Sequence, residues 1–367
     1  MKNFLYSNRF IDFTNEPLFF GSGKNSQRYD VIKYPIFDKL FEKMAGQDWV
    51  HDEIACTKDK VDFNILFKPM RHAYTRVLNK LIFLDSIQGR GLLQTIGPVI
   101  TNPELEGCIT EWQRFEISRH SRSYTHILRS VYDNPSEIFD QSFEIPELLS
   151  LADSVSQPYE DAFQAVHNYI SDPGTLEQCK RKIIELLVEI NILEGVRFYS
   201  GFACIWSMHY SQGLMERTSK ILQLICRDEN LHLGITQHLL TILRNNEHEG
   251  FANILREYNE YIIDKFTEAY NQECNWIEYL FKYGSWLGMS QELAKDYIQY
   301  LINERLKALG LKPLFSITKN PLPWVASYIA FDSNFVPLQE SESLNYKMDI
   351  LDSELTQTQR SNLLKML

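Results

Sequence analysis

No stretch of about 18 uninterrupted apolar residues occurs in the chain, so a membrane-spanning helix is not expected. The first residues, Met1-Lys-Asn-Phe-Leu-Tyr-Ser-Asn-Arg-Phe10, lack the apolar run and small-residue cleavage site of a secretory signal. Basic residues are in the minority: 37 Lys and Arg against 48 Asp and Glu give a net charge of −11. A phosphate-backbone binder needs a basic stripe, and none is present, which argues against nucleic acid as a partner. The six cysteines (Cys56, Cys108, Cys179, Cys204, Cys226, Cys274) form no CxxC pair. They read as reduced core thiols of a cytoplasmic protein. Without an obvious dithiol the chain has no turnover redox couple of its own, and substrate reduction would need a partner. Strand signals and short repeats are almost absent. What is present is apolar material at helical spacing. Of 367 residues, 44% are hydrophobic and 13% aromatic, enough for a large all-α core.

Residues 1–34 are polar and aromatic without a clear period and read as an N-terminal arm. Helical periodicity starts at Pro35 and continues to about residue 330. It predicts a helix over 63–88 ended near Gly89, another over 102–129, and shorter pieces over 136–175. Further helices are predicted over 176–209, 214–244, 251–271, 273–286 and 290–308. Residues 331–367 read as a polar C-terminal tail. Trp49 stands alone in Gln47-Asp-Trp-Val-His-Asp52, where packing is the ordinary role of an isolated Trp.

Within the helical part, charged residues interrupt apolar runs at a few places. Asp85 does so in Leu81-Ile-Phe-Leu-Asp-Ser-Ile-Gln-Gly89, and Glu194 sits mid-way along a helix apolar on nearly every side. A carboxylate buried there is costly unless it is paired, hydrogen-bonded or bound to metal. In Glu116-Ile-Ser-Arg-His-Ser-Arg-Ser-Tyr124 a carboxylate, an imidazole and a phenol follow four residues apart and stay roughly on one helix face. Glu229 and His232 stand three apart, again on one face.

Together these residues come from four helices: Asp85, Glu116 with His120, Glu194, and Glu229 with His232. Single carboxylates from two helices and a Glu/His pair from each of two others are the ligand set of a dinuclear site in a four-helix bundle. Mostly oxygen donors with one nitrogen per metal suit iron or manganese, whereas structural zinc favours thiolates and histidines. Tyr124, one turn beyond His120, would lie close enough to be oxidised. His126, His209 and His238 lack a carboxylate partner at matching depth and read as structural or solvent-facing.

At this point the chain resembles the small, radical-generating subunit of class I ribonucleotide reductase over nearly its whole length. The matching words are Asn15-Glu-Pro-Leu-Phe-Phe-Gly21, Arg28-Tyr-Asp30, Leu84-Asp-Ser-Ile-Gln-Gly-Arg90, His120-Ser-Arg-Ser-Tyr-Thr-His126, Leu193-Glu-Gly-Val-Arg-Phe-Tyr199, Arg227-Asp-Glu-Asn-Leu-His232 and Asn320-Pro-Leu-Pro-Trp324. The resemblance implies a ferritin-like helical bundle over residues 35–330, a homodimer, and two irons per chain, with manganese or a mixed pair as alternatives. It implies that O2 is used to make a tyrosyl radical, and that a separate large subunit reduces ribonucleotides to deoxyribonucleotides. By position, Asp85, Glu116 and His120 would hold one metal, and Glu194, Glu229 and His232 the other. Tyr124 falls on the radical tyrosine. Trp49 and Asp228 fall on the relay leading back to His120, and Phe198, Phe202 and Ile225 on the apolar pocket around the radical. Tyr346 falls on the tail tyrosine of the radical path, with Glu340 near it. Leu363, Leu364, Met366 and Leu367 would anchor the tail on the large subunit. The other reading within enzymes is a ferritin-like oxidase acting on its own organic substrate.

One spacing departs from the family, whose first Glu and His stand three apart. Glu116 and His120 stand four apart, as if one residue were inserted. A π-type bulge would absorb it and keep both side chains inward. In a regular helix Glu116 would swing away by up to about 100°.

Overall fold

The computed structural model describes residues 5–330. Tyr346, Glu340 and the other residues of 331–367 lie outside the described residues. Residues 5–34 carry no helix. Their isolated bridge from Phe19 to Ile100 and the bond from the Leu18 amide to Glu249 Oε2 (2.8 Å) lay this segment against the helical body. The helices begin with α1 (Pro35–Gly46), α2 (Thr57–Ile65), α3 (Lys68–Ile96) and α4 (Pro103–Phe115). The last leads through a π turn (Glu116–His120) into α5 (Ser121–Val131). Next come α6 (Pro135–Gln141), α7 (Pro146–Ser171) and α8 (Leu176–Ile192), which passes through a second π turn (Leu193–Arg197) into α9 (Phe198–Gln212). The rest are α10 (Glu216–Asn245), α11 (Ala252–Glu257), α12 (Asn259–Leu280), α13 (Gln291–Ala308) and α14 (Val325–Ile329). The fold is an all-α, ferritin-like bundle, with no extended strand among the described residues. No helix there is long and apolar enough to cross a membrane.

Local signals start several of these helices. Asn102 accepts the Leu105 amide, with Pro103 in the first turn of α4. Thr175 and Gln178 form a reciprocal capping box on α8. In the core α3 packs against α4, α7 and α9, and α10 against α8 and α9. These are the segments that carry the acids and histidines singled out above.

Several helix boundaries differ from the sequence expectation. The chain breaks at Leu66–Phe67, and α3 starts afresh with Pro69 in its first turn and then runs past Gly89 to Ile96. Gly89 does not end the helix. It lets the π turn approach, since a Cβ there would lie 3.0 Å from Ile117 Cγ1 and 3.1 Å from Glu116 Cβ. Short pieces were expected over 136–175, yet α7 is continuous for 26 residues despite Pro158 inside it. Its buried residues Leu148, Leu151, Ala152, Val155, Tyr159, Ala162 and Val166 keep one apolar face, and packing along that face outweighs the one ladder bond that proline removes. The expected split near residue 272 is absent, because α12 runs from Asn259 to Leu280. There Glu273 is turned inward and pairs with buried Lys80 (Nζ–Oε2 2.6 Å).

Candidate metal centre

The six acids and histidines converge. Asp85 comes from α3, Glu116 and His120 from the first π turn, Glu194 from the second, and Glu229 and His232 from α10. Each has zero relative exposure. Their donor atoms form two overlapping groups, each within 4.8 Å: Asp85, Glu116, His120 and Glu229, and Glu116, Glu194, Glu229 and His232. Glu116 and Glu229 belong to both groups. Each triad expected from position lies within one of these groups, with Glu116 and Glu229 within reach of both.

The extra residue after Glu116 is absorbed as expected. The Ser121 amide donates to the Glu116 carbonyl, five residues back, in a π turn that keeps Glu116 and His120 both inward. The second π turn, closed by the Phe198 amide on the Leu193 carbonyl, was not foreseen. Glu194 has no histidine partner whose spacing could have revealed it.

Both imidazoles face the carboxylates through Nδ1. His120 Nδ1 lies 3.2 Å from Glu116 Oε2 and 3.3 Å from Glu229 Oε1. His232 Nδ1 lies 2.8 Å from Glu229 Oε2 and 3.1 Å from Glu116 Oε1. Both Asp85 oxygens and Glu194 Oε2 make no hydrogen bond although buried, and Glu229 Oε1 has only the long contact with His120 Nδ1. Orphaned buried acceptors are costly, and several pointing into one space are what bound cations would satisfy.

Electrostatics agree with this. Burial, then the neighbouring Glu116, raises Asp85 well above the carboxylate range. Burial, then Glu229, does the same for Glu194. Burial also opposes charge on the others, but the histidines overcome it and hold Glu229 and Glu116 down. Those two acids in turn raise both His120 and His232. Four buried carboxylates facing one another are thus opposed by burial and by mutual repulsion, a cost that two divalent ions would offset in an oxygen-rich, two-nitrogen donor set. The residues fit a dinuclear centre.

Around it, Tyr124 is buried and its hydroxyl makes no hydrogen bond of normal geometry; burial, then the Asp85 charge, raises its pKa. On the other side His120 Nε2 lies 3.3 Å from Asp228 Oδ2, which accepts from Trp49 Nε1 at 2.7 Å. Trp49 is therefore more than packing. Phe198, Phe202 and Ile225 are fully buried. His126 bonds the Ile54 carbonyl (2.8 Å), His209 bonds the Tyr328 hydroxyl (2.8 Å), and His238 is exposed. None of the three joins the cluster.

Three residues near the ligands were missed. Trp112 donates to Glu116 Oε1 (2.8 Å) and stacks on His232, with ring centres 4.9 Å apart. It stands four residues before Glu116, so helical spacing could have found it. Gln88, three residues after Asp85, donates to Glu194 Oε1 (2.8 Å), and Tyr159 donates to the Gln88 carbonyl. No sequence signal marks Tyr159.

Comparison with known proteins places this arrangement. Residues 27–321 match the family described as ribonucleotide reductase, small chain. The chain belongs to that family. The beta subunit of ribonucleoside-diphosphate reductase from Buchnera aphidicola (subsp. Baizongia pistaciae) is 37% identical over 353 residues, covering 93% of each chain. The reductase 1 beta subunit of Escherichia coli O157:H7 is 35% identical over 364 residues, 96% of each. The solved R2 subunit from Clostridium botulinum superposes with a TM-score of 0.78 at 28% identity, covering 90% of this chain and 98% of that one. This small chain is thus the class I ribonucleotide reductase subunit that its sequence resembles, an oxidoreductase component that works with a large subunit.

Proposed function

We propose that Asp85, Glu116, His120, Glu194, Glu229 and His232 hold two metal ions, iron or manganese, and that the chain uses them with O2 to make a radical at Tyr124. When bound, the ions would supply the one-electron oxidising power. The rest falls to the protein. Tyr124 would be the residue oxidised, and Asp85, whose charge acts on the phenol most strongly after burial, would be placed to take its hydroxyl proton. A fully buried hydroxyl whose acidic neighbour is Asp85 suits this role, because burial among apolar side chains would shield a phenoxyl radical from reductants in solution. Phe198, Phe202 and Ile225 would keep the setting apolar.

The hole then travels along His120, Asp228 and Trp49 and on to Tyr346, which would carry it to the large subunit. The chain would act in the cytoplasm as a homodimer, with residues 331–367 docking on that subunit. The observation that carries the reading is the continuous link from the cluster through His120 and Asp228 to Trp49. A surface helix or a storage bundle has no use for it.

The test is electron paramagnetic resonance with metal analysis, on protein loaded with ferrous iron and exposed to air. About two irons per chain and a tyrosyl signal that vanishes in Tyr124→Phe are expected. Two ions without a tyrosyl signal would point to manganese, a mixed pair or an oxidase, and a repeat with manganese and with both metals that still gave no tyrosyl signal would refute the radical assignment.

A further inference from the structure

Two phenols stand near the cluster, and they are held differently. The Tyr124 hydroxyl is unpartnered. The Tyr159 hydroxyl, on α7, is tied to Glu194 by two successive hydrogen bonds through the Gln88 side chain. Gln88 is fully buried and Tyr159 is 4% exposed.

The direction of these bonds is set by chemistry. A metal-bound Glu194 is a carboxylate and can only accept, so Gln88 must turn its NH2 toward Glu194 Oε1. Its carbonyl oxygen then faces α7, and only a donor satisfies it there. A flipped amide would set oxygen against oxygen at Glu194. The Tyr159 hydroxyl is the donor that opposes the flip. With Oε1 held by the amide, Glu194 keeps Oε2 free of hydrogen bonds, on the side of His232 Nδ1 (3.9 Å).

α3 is shaped for this contact. Asp85, Gln88 and Gly91 follow at intervals of three and share a face. The Tyr159 ring sits against Gly91, where a Cβ would lie 2.2 Å from Cδ1 and 2.7 Å from Cε1. One helix thus supplies a ligand, the amide that orients a second ligand, and the seat for the tyrosine that orients the amide.

We infer that Tyr159 is a positioning residue for Glu194, acting through Gln88, which sets the strength of the metal site shared by Glu194 and His232. The inference rests on reading the cluster as a dinuclear metal centre.

The test is titration of the full chain with Mn2+, following free and bound ion by electron paramagnetic resonance, with circular dichroism to check the fold. Loss of an outer-sphere partner weakens a metal site by about 10–100-fold. Tyr159→Phe is therefore expected to weaken one of the two ions about ten-fold and leave the other unchanged. Gln88→Met should do the same or more, and Tyr159→Phe should add nothing in that background. Gly91→Ala, which keeps the hydroxyl but displaces the ring, should reproduce the loss. A Tyr159→Phe chain that titrates like the parent overturns the proposal, as do losses that multiply in the Gln88→Met, Tyr159→Phe double variant. If the parent binds fewer than two ions, the dinuclear reading falls and this inference falls with it.

Discussion

Deleting Ser118 should leave the candidate metal centre intact, although it removes a residue between two candidate ligands. In a regular helix three steps turn a side chain through about 300° and four through about 400°, so the two directions differ by about 100°. Glu229 and His232 meet the cluster with three steps in an unbroken helix, while Glu116 and His120 meet it with four across a π turn. The π turn therefore takes up one residue without taking up its rotation. Removing Ser118 lets the turn relax to regular helix with both ligands still inward. Little else depends on the loop of the turn. Ile117 is 49% exposed, Ser118 Oγ bonds only the Arg114 carbonyl, and the Arg119–Asp48 pair lies near the surface. The expected change in metal affinity is below the ten-fold that loss of an outer-sphere contact brings. The expected shift in stability is within about 1 kcal/mol, roughly 1–2 °C in Tm for a chain of this length. Deleting exposed Thr110 from regular α4 is the contrast, since it rotates one side of the helix by about 100° against the other and should cost the site. Metal analysis after loading, with a thermal melt, reads both. A folded Ser118-deletion chain that holds one ion or none would refute the argument, because the π turn would then be required rather than accommodated.

Other consequences can be measured separately. Lys80 and Glu273 are fully buried and joined by bonds of 2.6 and 2.7 Å, so Lys80→Met should destabilise by about 3–5 kcal/mol. The Lys80→Met, Glu273→Leu double variant should recover most of that in denaturant unfolding, and a simple sum of two losses would count against the pairing. Burial holds His72 down at about 4, below its value of 6.5 in an unfolded chain. The unfolded state then binds the extra proton between pH 6.5 and 4, so this contribution to stability is present above that window and lost as pH falls through it. His72→Gln should lose less stability than the parent between pH 7 and 5, and equal losses would contradict the assignment. Trp49→Phe removes the donor to Asp228 but no candidate ligand. It should keep its metals and tyrosyl signal while turnover with the large subunit falls to background, and retained turnover would remove Trp49 from the path.

The six residues of the cluster were legible because charge in an apolar helix is conspicuous. Asp85 and Glu194 interrupt hydrophobic runs, and Glu/His pairs four and three residues apart each stay on one helix face. The first π turn was legible as a spacing one residue too long. The second was not, since a lone Glu194 has no partner to show its phase. Gln88 and Tyr159 are neutral residues whose importance arises only when α3 meets α7, a contact that no local pattern announces. The helix boundaries failed for a related reason. Pro158 and Glu273 look like interruptions until their neighbours are known, one carried by a packed face and the other paired with a lysine from a distant helix.

The complete burial of all six candidate ligands bears on how the centre is filled. An ion in solution would reach them through openings of the surrounding helices, so loading would be paced by the breathing of the bundle as well as by affinity. Once the helices close, release waits for the same rare opening. The chain would then keep whichever ion it met first, iron or manganese, long after the supply outside had changed. Its metal content would be a record of the moment of loading.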